Sequence, residues 1–209
     1  LLGSSRARKH ATAEHPFGYG RERYFWSFVV ALVLFTLDGL FAIYEGWHGD
    51  AAFTMAIGDV PDDVRQLLAV TEEALWNGLR MARHGNRLGD VGHAIEATAK
   101  PHGYGVVREY IGHGIGRQMH EAPNVPNYGV PGKGLKLKTG MALAIEPMFN
   151  LGTAETAVLD DGWTVVTADG SLSAHFEHTV LITEDGFENL TAAIPKSAPD
   201  VEAWMRDTN

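Results

Sequence analysis

Gly112-His113-Gly114-Ile115-Gly116-Arg117-Gln118-Met119-His120-Glu121-Ala122-Pro123-Asn124-Val125-Pro126-Asn127-Tyr128-Gly129 is the stretch on which the reading of this chain turns. It sets one imidazole, His113, among glycines and a second, His120, seven residues later. Three acids occupy similarly short, Gly- or Pro-punctuated contexts elsewhere. Asp50 ends His48-Gly49-Asp50, Glu146 lies in Ile145-Glu146-Pro147-Met148, and Glu177 lies in His175-Phe176-Glu177-His178-Thr179. Glu146 and Glu177 each end or interrupt an apolar strand, where a lone ionised carboxylate is costly to bury. Shared divalent cations relieve that cost, and several carboxylates with one imidazole are a ligand set for Mn, Fe, Co or Zn. Two such ions close together activate water and polarise a carbonyl, which is metal-assisted hydrolysis. Taken singly, each acid also reads as a capped or salt-bridged surface carboxylate.

The surrounding pattern predicts an α+β domain. Pro61 with Asp62 and Asp63 opens a helix to about Ala82, its apolar positions (Val64, Leu67, Leu68, Thr71, Leu75, Leu79) spaced mostly by three and four. A second helix runs from Leu88 to Ala99 and stops before Pro101. Strands are expected at Phe41–Tyr44, Ala51–Ile57, Gly105–Tyr110, Met141–Glu146, Trp163–Thr167, Ala174–Thr179 and Val180–Thr183. Residues 1–45 differ in texture: a basic, polar start precedes Phe25–Leu37, thirteen residues without a charge. That run is shorter than the roughly 20 residues of a spanning helix, a length it reaches only by extending past Asp38 to Tyr44, and it is rich in β-branched and aromatic residues. It is read as one or two buried strands, the alternatives being a membrane or targeting segment or a fused N-terminus. No small-residue cleavage site follows it, which argues against a signal peptide. The missing initiator Met predicts that a front portion is absent.

Composition narrows the function classes. The 209 residues carry a formal charge of −9, against the basic excess expected of a nucleic-acid or anionic-membrane binder. With no Cys, disulfides, thiolate zinc sites and thiol nucleophiles are excluded. Ten His and 26 Asp and Glu leave an oxygen- and nitrogen-ligand metal site open.

From Gly46 to about Leu190 the chain resembles type I methionine aminopeptidases, of the pita-bread fold, through GWHGDAA, GHGIGRQMHEAPNVPNYG, LAIEPM and DGWTVVTADGSLSAHFEHTV. Prolidases and creatinases share the metal set, but the second and fourth motifs look like the aminopeptidase branch. The resemblance implies two divalent ions (Co, Mn, Fe or Zn) held by Asp50, His113, Glu146 and Glu177, with Asp50 and Glu177 bridging. It gives His120 contact with the substrate amide, and Glu146 a second role as the acid–base between water and leaving amine. Trp163 would border the methionine pocket, ordinary strand packing being the alternative, and Met119 stands where an aromatic pocket residue is common. A fifth ligand is expected eleven residues before Asp50. Gly39 stands there, and Asp38 takes the role only if a bulge restores its direction.

The family's N-terminal half, with its substrate-binding histidine, has no counterpart in residues 1–45; none of His10, His15 or His48 has that context. The expected organisation is an atypical segment 1–45, a catalytic region 46–195 and a polar tail 196–209, forming a pita-bread fold with an incomplete N-terminal half. Implied with it are a cytoplasmic, monomeric enzyme acting on nascent polypeptide N-termini at the ribosome, with no specific nucleic acid and no membrane span. The alternative is a truncated or divergent relative that binds metal, peptide or protein without efficient catalysis.

Overall fold

The structure, a computed structural model, describes residues 43–56 and 58–192. Asp38, the apolar run 25–37 and the tail 196–209 lie outside the described residues. The chain divides into two units, Leu1–Gly46 and Trp47–Asn209. In the first, Ile43–Tyr44 (β1) is extended.

In the second unit, Trp47–His48 (β2) and Ala51–Ala52 (β3) precede two helices, Asp62–Met81 (α1) and Leu88–Ala99 (α2). Pro61 and the acidic pair Asp62–Asp63 start α1 as expected, since a fixed φ and negative charge both suit a helix N-terminus. Its buried stripe is Leu67, Val70, Thr71, Ala74, Leu75, Gly78 and Leu79. At the start of α2 the Asp90 carboxylate accepts the Arg87 and Gly132 N–H groups at 2.7 and 2.6 Å. These bonds hold its carboxyl below the usual aspartate range and fix the helix to a distant loop.

The remaining strands are Gly105–Val106 (β4), Gly112–Gly114 (β5), Glu121–Val125 (β6), Ala142–Ile145 (β7), Met148–Asn150 (β8), Thr156–Val158 (β9), Val165–Thr167 (β10), Ser173–His175 (β11), Glu177–Ile182 (β12) and Phe187–Asn189 (β13). A six-stranded sheet runs β13-β12-β7-β5-β6, with β3 also on β12, and a three-stranded sheet runs β11-β8-β4. The two sheets share one long antiparallel pair. His178 faces Ile145 and His175 faces Met148 in unbroken register, so Glu177 stands across from Glu146 and Phe176 from Pro147. Pro147 has no N–H to give the ladder, and there both strands pass from one sheet to the other.

Several expected strands are therefore shorter or divided. The strand expected over Ala174–Thr179 is split at Phe176, opposite Pro147. Pairing of the expected 51–57 strand stops at Ala52, after which the Thr54 hydroxyl takes over by bonding the His175 backbone. The strand expected over 105–110 ends at Val106. Strands β5 and β6 were not anticipated, because their Gly and Pro read as turn residues. The glycines serve close approach instead. A Cβ on Gly112 would collide with the Ala144 carbonyl oxygen, and one on Gly114 with that of Ala122.

Alternation along the strands separates two faces. Leu143, Ile145, Phe149, Ala174, Phe176, Val180 and Ile182 join Leu67, Leu75, Leu79, Val91 and Ile95 in the hydrophobic core. The intervening residues form the other face, and the acids are there.

Candidate metal centre

Register alone collects the acid and imidazole residues. His113 of β5 faces Ala144 of β7, which faces Thr179 of β12. Glu146 lies two residues beyond Ala144 and Glu177 two before Thr179, so with a period of two they share the face of His113. Ala52 pairs with Glu177, which brings Asp50, two residues earlier, to the same face. The Thr179 hydroxyl fastens it there, accepting the Asp50 N–H at 2.9 Å and donating to the Asp50 carbonyl at 2.7 Å.

Asp50, His113 and Glu177 each present a ligand atom, and these atoms lie within 4.8 Å of one another. Glu146 adjoins them. Its Oε1 is 3.6 Å from His113 Nε2, and Asp50 Oδ2 is 3.9 Å from the same nitrogen. His113 Nδ1 lies 2.9 Å from the Gly114 carbonyl, to which it can only donate. Nε2 is thereby the ring nitrogen left facing carboxylate oxygens. Two carboxylates converging on one imidazole nitrogen are an arrangement that a divalent cation between them would suit.

The electrostatics agree. Glu177 is 4% exposed and its Oε1 has no hydrogen-bond partner. Burial, reinforced by the Glu146 and Asp50 charges, pushes its carboxyl up to about 9. Burial and the Asp50 charge likewise push Glu146 up to about 7. Converging oxygen and nitrogen donors of this kind, with the buried Glu177 Oε1 unpartnered, fit a divalent cation of the Mn, Fe, Co or Zn class.

The other anticipated site residues fall into three groups. His120 is exposed, with its ring centroid 4.3 Å from that of His113. Its loop is tied to the Trp47–Asp50 segment by the His48 N–H donating to the Gly116 carbonyl at 2.8 Å, and by the Arg117 guanidinium 4.0 Å over the Trp47 ring. Met119, in the same loop, is half-exposed. Trp163 is 86% exposed in the turn between β9 and β10 and has none of the strand packing that was the alternative for it. Asp38 lies outside the described residues.

One residue was missed. His175 Nε2 is shielded from solvent, lacks a hydrogen-bond partner, and lies 3.7 Å from Glu146 Oε2. Burial lowers its imidazole to about 4, against the pull of the Asp50 charge. Its position two residues before Glu177 was the available signal, because alternation puts both on one face.

Residues 34–184 match the model of metallopeptidase family M24. The chain belongs to that family. Among M24 relatives, it is 53% identical over 147 residues to methionine aminopeptidase 1 of Bacillus subtilis, covering 70% of this chain and 59% of the relative. It is also 53% identical over 150 residues to the methionine aminopeptidase of Clostridium acetobutylicum, covering 72% and 60%. The crystal structure of methionine aminopeptidase from Rickettsia prowazekii matches with a TM-score of 0.70 at 49% identity, over 71% of this chain and 60% of that one. The prolidase of Pyrococcus furiosus matches at 0.57 and 25%, over 72% and 39%. The fold is the expected pita-bread fold, in part: the chain spans about three-fifths of the length of the curated relatives it matches. A second model, the cation efflux transmembrane domain, matches residues 1–53. That likeness reads the apolar run 25–37 differently from the buried strands expected of it. Among the described residues, no helix is long and apolar enough to cross a membrane.

Proposed function

We propose that the M24 region removes the N-terminal methionine from nascent polypeptides whose second residue is small. The observation that carries this reading is His113 Nε2 facing carboxylate oxygens of Asp50 and Glu146, in a region of about 150 residues that is about half identical to methionine aminopeptidases. Asp50, His113, Glu146 and Glu177 would hold two divalent ions (Co, Mn, Fe or Zn). Asp38, within the span matched to the M24 model, is proposed as a fifth ligand. Bound ions of this kind supply Lewis acidity, polarising a carbonyl and making water a nucleophile near neutral pH.

The side chains supply the rest. Glu146, whose Oε1 lies 3.6 Å from His113 Nε2, takes the proton of the attacking water as the oxygen adds to the scissile carbonyl. It returns that proton to the amine nitrogen as the C–N bond breaks, acting as base and then as acid within reach of the reacting atoms. His120, exposed beside His113, donates to the substrate amide and steadies the tetrahedral intermediate. Trp163 and Met119 offer apolar surface to the methionine side chain, and Met119's flexible thioether suits a pocket that must adapt. Residues 46–195 are proposed as the catalytic region, flanked by the distinct segments 1–45 and 196–209. The proposed setting is a monomer in the cytoplasm, meeting nascent chains at the ribosome.

Purified chain incubated with Mn²⁺ or Co²⁺ and a Met-Ala-Ser peptide should release free methionine, and release should stop when a chelator is added. Tight metal binding without methionine release supports the binding-only relative instead. A second reading of location rests on the likeness of residues 1–53 to a transmembrane domain. If the expressed chain stays with membranes through a carbonate wash, the peptidase region works at a membrane surface and the cytoplasmic monomer is wrong.

A further inference from the structure

His175 is a buried-tipped imidazole that the proposed reaction leaves without work. Its backbone is held on both sides by Thr54: the His175 N–H donates to Thr54 Oγ1 at 2.8 Å, and that hydroxyl donates to the His175 carbonyl at 2.7 Å. The ring is about a third exposed, with 35% of its side-chain surface open, yet its Nε2 is shielded and has no hydrogen-bond partner. Glu146 Oε2 lies 3.7 Å from it, while Glu146 Oε1 lies 3.6 Å from His113 Nε2. The Glu146 carboxylate thus sits between two imidazoles, one oxygen turned to the metal centre and the other to His175.

Resting on the metal-centre reading, we propose that His175 is a positioning residue that donates from Nε2 to Glu146 Oε2 and keeps Oε1 aimed at the metal site. A carboxylate with one free oxygen swings about its terminal bond and presents either oxygen. One donor on Oε2 removes that freedom, and a rotation closing about half an ångström brings the pair to hydrogen-bond length. Outer partners of metal ligands act in this way, and their loss costs about 10- to 100-fold in affinity or activity.

The test uses the full chain and calorimetric titration with Mn²⁺. His175→Ala should bind with unchanged stoichiometry but about 10- to 100-fold more weakly. His175→Met, which fills the space without an N–H, should do the same and serves if the alanine variant does not fold. His175→Gln, with an amide N–H of similar reach, should recover most of the loss. With Met-Ala-Ser as substrate, Ala and Met should lower kcat more than they raise KM. Wild-type affinity in both donor-less variants overturns the proposal. So does failure of Gln to improve on Met, which makes the role one of packing, or a fall in stoichiometry, which makes His175 a ligand. His113→Ala is the control: if it binds Mn²⁺ like wild type, the metal-centre reading fails whatever His175 does.

Discussion

The two faces of the antiparallel pair 142–150 and 173–182 have opposite contents. One carries Leu143, Ile145, Phe149, Phe176, Val180 and Ile182 into the core against the helices. The other carries Glu146, His175, Glu177 and Thr179, with Asp50 and His113 brought alongside by the neighbouring strands. Both sets come from the same strands, one residue apart. The core face lowers the free energy of folding, by about 1.5–3 kcal/mol for each large aliphatic side chain buried. The acid face raises it, because buried carboxylates must stay protonated or find a cation. Stability and chemistry are therefore separable by parity along a strand.

Glu177→Gln should give the largest split. Tight Mn²⁺ binding should be lost, while the metal-free protein at pH 8 should melt at a higher temperature, since wild-type Glu177 must take up a proton to be buried at that pH and Gln need not. If Mn²⁺ still raises the melting temperature of the variant as it does for wild type, Glu177 is no ligand. On the opposite face, Leu143→Ala should cost about 2–5 kcal/mol in denaturant unfolding without changing metal stoichiometry below its transition; a loss of bound metal in the folded variant would show that the faces are coupled. His120→Ala should leave metal content intact and lower turnover by roughly 10²- to 10³-fold, the scale for removing one stabilising donor. Parallel loss of metal and rate would make it a ligand.

A smaller effect concerns pH. The folded carboxyls of Glu146 and Glu177, at about 7 and about 9, lie above the ordinary glutamate value of 4.5. Their contribution is full below pH 4.5 and is lost as pH rises through 7 and then 9. His175 works in the other sense: its folded value of about 4 lies below the ordinary 6.5, so its contribution is present above 6.5 and lost as pH falls toward 4. Above pH 6.5 only the carboxyls act. Metal-free protein should lose stability steadily from pH 6.5 to 9, and saturating Mn²⁺ should flatten that slope; equal slopes with and without metal would detach these acids from the metal.

The helices were legible because their signals are local. Pro61 with two acids marks one start, and the spacing of Leu67, Thr71, Leu75 and Leu79 marks the buried stripe. Strands β5 and β6 were not, since Gly112 and Gly114 answer to the carbonyls of Ala144 and Ala122, which only the assembled sheet brings near. The break at Phe176 depends in the same way on Pro147 across the ladder. Asp50, His113, Glu146 and Glu177 were legible as motif residues. His175 was quoted among them without a role, because an unpartnered Nε2 beside Glu146 is a fact of packing.

The most direct measurement is a crystal of the Mn²⁺-loaded protein with anomalous data collected near the Mn edge. The account predicts an anomalous peak bonded to His113 Nε2 and to carboxylate oxygens of Asp50, Glu146 and Glu177. Mn²⁺ at full occupancy elsewhere, with His113 Nε2 bonded only to protein or water, would contradict it.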